Sequence, residues 1–485
     1  MNTLKRPDLF QTQAYINGKF VNAIGGHTYP VTNPADGSHL ADVADCHVAQ
    51  TRSAIEAADV AFASWKKKTS HERGAILRKW FDLQMEHRND LGRILALEQG
   101  KPLAEATGEI VYGASFVEWF AEEGKRIYGD VIPANVADKR YVVIKQPIGV
   151  SAAITPWNFP NAMITRKVSP ALAAGCTVVV KPAEDTPLSA LALAVLAEEA
   201  GIPAGVFNVV TSNSPVEVGK ELCANPLVRK LSFTGSTEVG KILMRQSADT
   251  VKKVSFELGG NAPFIVFDDA NIDDAVAGAI VSKYRNAGQT CVCANTIYVQ
   301  EGVYDAFVSK FVEAVQKLKV GSALEEGVSI GPLINQEAMA KVSGMLDEAK
   351  SKGAKIILGG NASERGGTFF EPTILTHVTT DMQVVRQEIF GPIAPIVSFS
   401  DEANMLAQVN DTPYGLAAYF YGTNIHRVWR VAEALEYGMI GINTGIVATA
   451  VAPFGGVKES GIGREGSKYG IEEYVEMKYL CFGGM

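Results

Sequence analysis

The sequence predicts a mixed α/β fold built from two parallel-sheet units with a small β segment attached. Three observations carry this. From residue 148 onward, short β-branched runs alternate with helical stretches, which is the grammar of a mostly parallel sheet with helices on both faces. A second series of the same kind begins near Pro263. Two further extended stretches, Arg140 to Gln146 and Glu473 to Cys481, fit neither series. An isolated two-stranded ribbon is marginal in water, so these strands need a sheet to join. Pairing within one chain and pairing onto a neighbouring subunit both satisfy that need.

Taken in order, Ala14 to Val21 alternates loosely around Asn17-Gly18, a hairpin signal. Thr69 and Glu72 form a capping box ahead of Ile76, Leu77, Trp80, Phe81 and Leu83 at helical spacing. That pattern is expected to stop near Gly100, with Pro102 just beyond. The first series places strands at Ile148 to Thr155, Thr177 to Val180, Val206 to Val210 and Leu231 to Thr234. Helices are expected at Leu188 to Glu199, Val216 to Leu222 and Thr237 to Ser247. The second series has strands at Phe264 to Phe267, Thr296 to Val299, Lys355 to Leu358, Ala417 to Tyr421 and Met439 to Asn443, with helices at Asp273 to Asn286 and Tyr304 to Leu318. Sheets of this kind bind ligands at the carboxyl ends of their strands.

The 485 residues suffice for two or three domains. A net charge of −8 gives no support to nucleic-acid binding. No basic-apolar-small leader opens the chain, and no apolar run approaches the roughly 20 residues of a membrane span. Lys66, Lys67 and Lys68 read as a solvated helix end. The six cysteines are scattered, which points to free thiols in a reducing compartment, hence a cytoplasmic protein. Cys291 and Cys293 lack zinc-site spacing, so no metal is expected.

Five loops can carry chemistry. Asn286 to Cys293 holds a thiol in a Gly-containing turn after a helix; such a thiol can be bent toward a cleft and activated, although most cysteines are small buried hydrophobes. Thr155-Pro156-Trp157-Asn158-Phe159-Pro160 fixes an amide between two prolines, where it can donate to a developing oxyanion or simply serve a turn. Ser255 to Asn261 sets Glu257 among apolar residues; burial raises a carboxyl pKa toward general-base range unless a basic residue pairs with it. Lys181, at the end of an apolar strand, can reach a ribose or phosphate, or snorkel. Thr234 to Gly240 follows a strand and opens a helix, a place for an anion, though without the Gly-x-Gly-x-x-Gly spacing.

As a set these loops match a known family. Pro156 to Pro160, Lys181 to Glu184, Phe233 to Ser236, Phe256 to Gly260, Gly288 to Cys291, Glu388 to Pro392 and Pro453 to Gly456 occur in the right order. The chain resembles the aldehyde dehydrogenase superfamily over nearly its whole length. The resemblance implies two Rossmann-like parallel-sheet domains and a small β oligomerisation arm. The NAD(P)-binding domain would take residues 1–124 and 148–257, the catalytic domain 258–456, and the arm 125–147 and 457–485. It implies Cys291 as the nucleophile, the Asn158 amide and the Cys291 N–H as oxyanion donors, and Glu257 as the base for the hydrolytic water. Cofactor contacts would come from Pro156, Trp157, Lys181, Ala183, Glu184, Thr234, Gly235, Ser236, Gly240, Leu258, Glu388 and Phe390. The arm implies a homo-oligomer, a dimer or tetramer.

Within the superfamily the chain is most similar to the succinate-semialdehyde dehydrogenase branch, the last step of GABA degradation. Met163 to Lys167, Tyr284 to Asn286, Cys291 to Asn295 and Gly463 to Gly470 carry this likeness. It implies oxidation of succinate semialdehyde to succinate, with the substrate carboxylate on Arg166 and Arg285 and a weaker contact from Thr449. An arginine fork matches a carboxylate bidentately. Glutarate semialdehyde, one methylene longer, stays open, since a methylene gives only about 1–3 kcal/mol of discrimination. A coenzyme A-acylating relative is disfavoured by Glu257. A non-catalytic protein on the same fold is disfavoured by Cys291, Glu257 and Asn158 together. The cofactor is NAD or NADP; Glu184 leans toward NAD, because a carboxylate repels a 2′-phosphate. Cys293, separated from Cys291 by a single residue, is a candidate for a reversible redox switch with it, or equally a plain packing cysteine.

Overall fold

The structure, a computed structural model, describes residues 4–484; the expected outer domain bounds at 1 and 485 fall outside it. The first sheet has the order Gly461–Ile462, Lys253–Glu257, Val228–Thr234, Val150–Ile154, Thr177–Lys181, Phe207–Val209, Ala14–Ile16, Lys19–Val21. Its five central strands are parallel. The chain lays down Val150–Ile154, Thr177–Lys181 and Phe207–Val209 in one direction, then returns to place Val228–Thr234 on the other side of Val150–Ile154. That reversal opens a crevice at the carboxyl ends of these two strands. The loops that leave them are Thr155 to Pro160 and Gly235-Ser236. Apolar clusters cover both faces of this sheet.

The second sheet runs Lys355–Leu358, Thr373–Thr376, Ile393–Phe399, Ala294–Gln300, Ala262–Val266, Ala417–Tyr421, Met439–Ile442. All pairs but the first are parallel. Here the structure departs from the carboxyl-end expectation. Gly259-Gly260, Cys291 and Glu388 all precede their strands, so this unit offers the amino ends of its strands to the crevice. The two sheets meet there end to end in chemical terms: one contributes loops leaving strands, the other loops entering them.

Most local signals translate directly. Asn17 and Gly18 take φ of 51° and 73° in a two-residue hairpin. The Glu72 N–H donates to Thr69 Oγ1 at 3.2 Å, and the Thr69 N–H to Glu72 Oε2 at 2.7 Å. The helix Val48–Trp65 ends at the exposed Lys66 and Lys67. Gly100, at φ 92°, closes the helix Arg88–Gln99. Pro102 does not leave the chain irregular, however. It caps a further helix, Leu103–Glu123, that the sequence reading passed over. This helix packs against Ser70–Glu86, Arg88–Gln99 and Ala162–Ala174. It is enclosed on several sides, so it shows no single apolar stripe.

The two unassigned stretches pair with each other within the chain. Lys139–Pro147 runs antiparallel to Val475–Gly483 over nine residue pairs, and Asp130–Ile132 adds a third strand. No helix among the described residues is long and apolar enough to cross a membrane.

Candidate active site

The thiol loop is held in an unusual shape. Asn286, Ala287 and Gly288 are consecutive left-handed residues, at φ 52°, 55° and 76°, a conformation that costs a non-glycine residue roughly 1–2 kcal/mol. Neighbouring groups hold it there. Glu105 Oε2 accepts the Asn286 N–H at 2.8 Å. The Gln289 amide donates to the Asn286 and Pro332 carbonyls at 3.1 and 3.2 Å and accepts the Ile334 N–H at 2.9 Å. At Gly288 a Cβ would stand 2.2 Å from the Gly391 carbonyl oxygen, so the thiol loop and the Glu388-to-Pro392 loop touch only because this residue is glycine. Cys291 emerges half-buried at the junction of two cavities. Burial pushes its thiol up to about 12; Arg166 pulls the other way.

Cys293 faces elsewhere. Its Sγ donates to the carbonyls of Lys283 and Ala294, each at 3.4 Å. It lines neither of the cavities that Cys291 lines. Burial raises its pKa, against the pull of the buried Lys283 ammonium.

Asn158 is buried and fixed from both ends. Its carbonyl accepts from Lys101 Nζ at 2.7 Å and from Asn286 Nδ2 at 3.1 Å. Its own Nδ2 donates to the Gln289 carbonyl at 3.1 Å, which uses one of two amide hydrogens. Lys101 in turn pairs with Glu109 at 2.6 Å, both side chains being fully enclosed. Glu109 Oε1 accepts the N–H groups of Asn161 and Ala162 at 2.9 and 3.2 Å. It thereby caps the helix Ala162–Ala174, which has no cap from its own first residue.

Glu257 is buried, and its Oε2 has no hydrogen-bond partner. Desolvation, then the nearby Glu465, holds its carboxyl well above the usual range. The basic partners go to Glu465 instead. Arg166 Nε donates to one of its oxygens and Lys167 Nζ to the other, while Lys167 also reaches Thr234 Oγ1 at 2.6 Å. Burial pushes Glu465 up, but these two cations bring it below the ordinary carboxylate range. The two neighbouring carboxyls are thus pushed in opposite directions, Glu257 up and Glu465 down.

A cleft of about 490 Å³ opens on one side of Cys291, within the range of small-molecule sites. Pro156, Trp157, Asn158, Thr234, Gly235, Ser236, Leu258, Glu388 and Phe390 all line it. The indole of Trp157 meets the Phe390 ring edge-to-face at 5.6 Å. Ser236 caps the helix Thr237–Ser247, accepting the Val239 N–H at 3.3 Å, so a helix N-terminus faces the cleft. Glu388 accepts the Gly260 N–H at 3.0 Å, and burial lifts its pKa to about 7. Four expected residues are not in this lining. Gly240 is buried where a Cβ would lie 2.5 Å from Leu258, which makes it a helix-to-strand packing position. Lys181 is buried and donates to Glu184 Oε2 at 2.8 Å and to the Pro182 carbonyl at 3.0 Å. Glu184 borders a separate pocket that shares Ile334 with the cleft, and Ala183 is buried and lines neither.

On the other side of Cys291 is a narrow cavity lined by Tyr112, Phe159, Met163, Arg166, Arg285, Thr290, Val292, Ala448 and Phe454. Arg285 lies 5.4 Å from the Phe159 ring centroid. Among the described residues, its guanidinium makes no side-chain hydrogen bond or ion pair. Arg166 stacks on Phe454 at 3.9 Å, and its Nη2 is buried without a partner. The structure thus brings both arginines to the thiol, but one of them is already half committed to Glu465. Thr449 is not brought there. It is exposed and borders a separate depression with Trp119 and Arg126; the preceding Ala448 takes the cavity position.

The sequence pattern of the Aldehyde dehydrogenase family matches residues 20–480. The chain belongs to the aldehyde dehydrogenase family. It is 62% identical to the NADP(+)-dependent succinate-semialdehyde dehydrogenase of Escherichia coli, covering 99% of both chains. It is also 62% identical to a glutarate-semialdehyde dehydrogenase of Pseudomonas aeruginosa, over 99% of this chain and 100% of the other. A crystal structure of succinate-semialdehyde dehydrogenase from Burkholderia pseudomallei, 59% identical, superposes with a TM-score of 0.98 over 99% of this chain and all of that one.

Several residues of this aldehyde dehydrogenase's site had no role in the sequence reading. Lys101, Glu105 and Glu109 belong to the overlooked helix or its approach. Lys167 and Glu465 stand 298 residues apart. Both lie inside stretches that carried the family likeness, Met163 to Lys167 and Gly463 to Gly470, and that was the available signal. Tyr112 had none.

Proposed function

We propose that this aldehyde dehydrogenase oxidises succinate semialdehyde to succinate, with NAD or NADP as the oxidant. The observation that carries this reading is the cavity in which Cys291 meets the guanidinium groups of Arg166 and Arg285, with Arg166 Nη2 buried and without a partner among the described residues. Such a site attracts an aldehyde that bears a carboxylate at its far end. The residues 258–456 act as the catalytic domain, residues 1–124 and 148–257 as the cofactor domain, and 125–147 with 457–485 as an oligomerisation arm.

The cleft suits a dinucleotide cofactor. Its helix N-terminus and glycine-serine loop are suited to a pyrophosphate, and the apolar pair Trp157 and Phe390 to a flat ring. Gly235, Ser236, Thr234 and Leu258 would hold the phosphate half, Glu388 and Phe390 the nicotinamide half. Lys181, Ala183 and Glu184 would take the adenosine ribose, past Ile334. A bound nicotinamide supplies the oxidation itself, accepting the hydride that the substrate carbon loses.

The Cys291 thiol gives its proton to water in the cleft, Sγ bonds to the aldehyde carbon, and the carbonyl oxygen becomes the oxyanion of a thiohemiacetal. The free N–H of the Asn158 amide and the N–H of Cys291 donate to the developing oxyanion. Arg166 and Arg285 hold the distal carboxylate, which fixes the carbonyl over the sulfur. Once the carbon is a thioester, Glu257 takes a proton from water through Oε2, the hydroxide adds, and the Cys291 thiolate leaves. Glu465 stays ionised between Arg166 and Lys167 and favours the proton on Glu257 after that transfer.

Glutarate semialdehyde is a second reading, favoured by the equal identity to the Pseudomonas aeruginosa enzyme. A panel of kcat/KM for succinate semialdehyde, glutarate semialdehyde and butanal, with each cofactor, tests both. Succinate semialdehyde is expected to lead; a lead for butanal would end the carboxylate reading. The protein is proposed to work in the cytoplasm, consistent with six free cysteines.

A further inference from the structure

We propose that Tyr112 is a specificity-determining residue, its phenolic O–H donating to the carboxylate of the substrate beside Arg166 and Arg285. This rests on the carboxylated-aldehyde reading above and deepens it. Tyr112 sits near the middle of the helix Leu103–Glu123, in the wall of the cavity that contains Cys291. Its ring packs edge-to-face on Phe116 at 5.1 Å. Phe116 in turn lies 5.8 Å beneath the Arg166 guanidinium. The ring is therefore held in place by a fully buried neighbour.

The Oη atom is the telling feature. It is sealed from solvent and has no hydrogen-bond partner among the described residues. Buried hydroxyls almost always have one, because leaving them unpaired is costly. The same cavity holds a second buried donor without a partner among the described residues, Arg166 Nη2, and it is also lined by the half-buried Arg285. The remaining walls, Phe159, Met163, Val292, Ala448 and Phe454, are apolar. Three donor groups border one narrow, mostly apolar cavity of about 10 Å³ from three separate elements: the long helix, the helix Ala162–Ala174 and the turn before the thiol. A ligand that brings acceptor oxygens satisfies all three; a neutral aliphatic tail satisfies none. Burial also pushes the phenol's pKa up, against the pull of Arg166 and Arg285, so the hydroxyl stays a donor throughout the working pH range. A site built to pair with polar atoms rejects ligands that lack them far more sharply than an apolar one does.

The test is Tyr112→Phe, which removes one oxygen and keeps the ring. Steady-state kinetics with succinate semialdehyde and butanal are run on wild type and variant, together with inhibition by succinate. For the variant, KM for succinate semialdehyde and the inhibition constant of succinate should each rise about tenfold, the loss of one hydrogen bond to a charged group. Its kcat and its KM for butanal should stay within about twofold of wild type. Equal changes for both aldehydes would mark a packing role and overturn the proposal. So would no change for either, or a fall in kcat alone, which would place the hydroxyl at the reacting carbonyl. Should wild type itself show no preference for succinate semialdehyde over butanal, the carboxylate reading fails, and that result is visible before the variant is measured.

Discussion

Arg285 and Glu257 show how burial without partners becomes chemistry. Arg285 enters the thiol's cavity with no ion pair among the described residues, whereas Arg166 is tied through Nε to Glu465. Their loss should therefore differ. Arg285→Ala should raise KM for succinate semialdehyde about a hundredfold, the scale of a desolvated charged hydrogen bond, and leave KM for butanal nearly unchanged. Steady-state kinetics with the two aldehydes check this, and equal effects would sink the role. Glu257 has its carboxyl held above the usual range by burial and by Glu465. A base works only when deprotonated, so deacylation should slow as pH falls through that raised pKa, at a higher pH than for an ordinary carboxylate. The kcat–pH profile should show this rising limb, and Glu257→Gln should lower kcat by about 100-fold or more and erase the limb. At the cofactor end, Glu184 shares its charge with Lys181 at 2.8 Å. Glu184→Ser should shift the NADP-to-NAD ratio of kcat/KM toward NADP by about tenfold, since it removes a repulsion of the kind that discriminates 2′-phosphates.

At the scale of elements, the helix Leu103–Glu123 is the organiser. Glu105 holds the left-handed thiol loop, Glu109 caps the helix that bears Arg166, and Lys101, just before it, holds Asn158. Removing one partner of a buried pair leaves a charge uncompensated and costs about 3–5 kcal/mol. Glu109→Ala should therefore lower unfolding stability by about that amount and also reduce kcat, because Asn158 and the helix cap lose their anchor together; denaturant unfolding and kinetics measure the two. The sequence made the loops legible and this helix illegible for the same physical reason. Pro156 to Pro160, Gly235-Ser236 and Gly288 to Cys291 are short segments whose backbone demands are local, so their residue types speak for themselves. The helix is enclosed by three others, and its functional side chains gain meaning only from groups 52 to 181 residues away. Glu465 is a similar case. No local pattern says that Arg166 and Lys167 will both turn to it across 299 and 298 residues. The likeness to a family flagged these stretches, while the division of labour between the two carboxyls became visible only in the folded chain. Thr449, assigned by likeness, misses the cavity by one residue, which a loop can do without disturbing any periodicity.

For the whole molecule, the small sheet is the part left open to solvent. Its three strands pair within one chain, so pairing alone does not require a second subunit. Its surface suggests one. Val131 is 80% exposed and Met477 76% exposed, with Tyr479 and Phe482 also open to solvent on the same small sheet. Exposed apolar side chains gathered on one element commonly mark an interaction surface. The sheet also ends in two unpaired edges, Asp130–Ile132 and Val475–Gly483, which can accept a strand from another copy. A closed homo-oligomer would bury both features. The 51.9 kDa chain should then sediment as a dimer or tetramer. Val131→Lys combined with Met477→Lys should shift it toward the monomer, since each substitution sets a charge into a desolvated contact. Neither residue lies in the cleft or the thiol cavity, so chemistry in the dissociated form should depend on whether the loops around Cys291 hold their shape without a neighbour. Analytical ultracentrifugation of both proteins decides the matter. A wild-type monomer, or an unchanged mass in the double variant, would leave the sheet as an intrachain structure and remove the case for an oligomerisation arm.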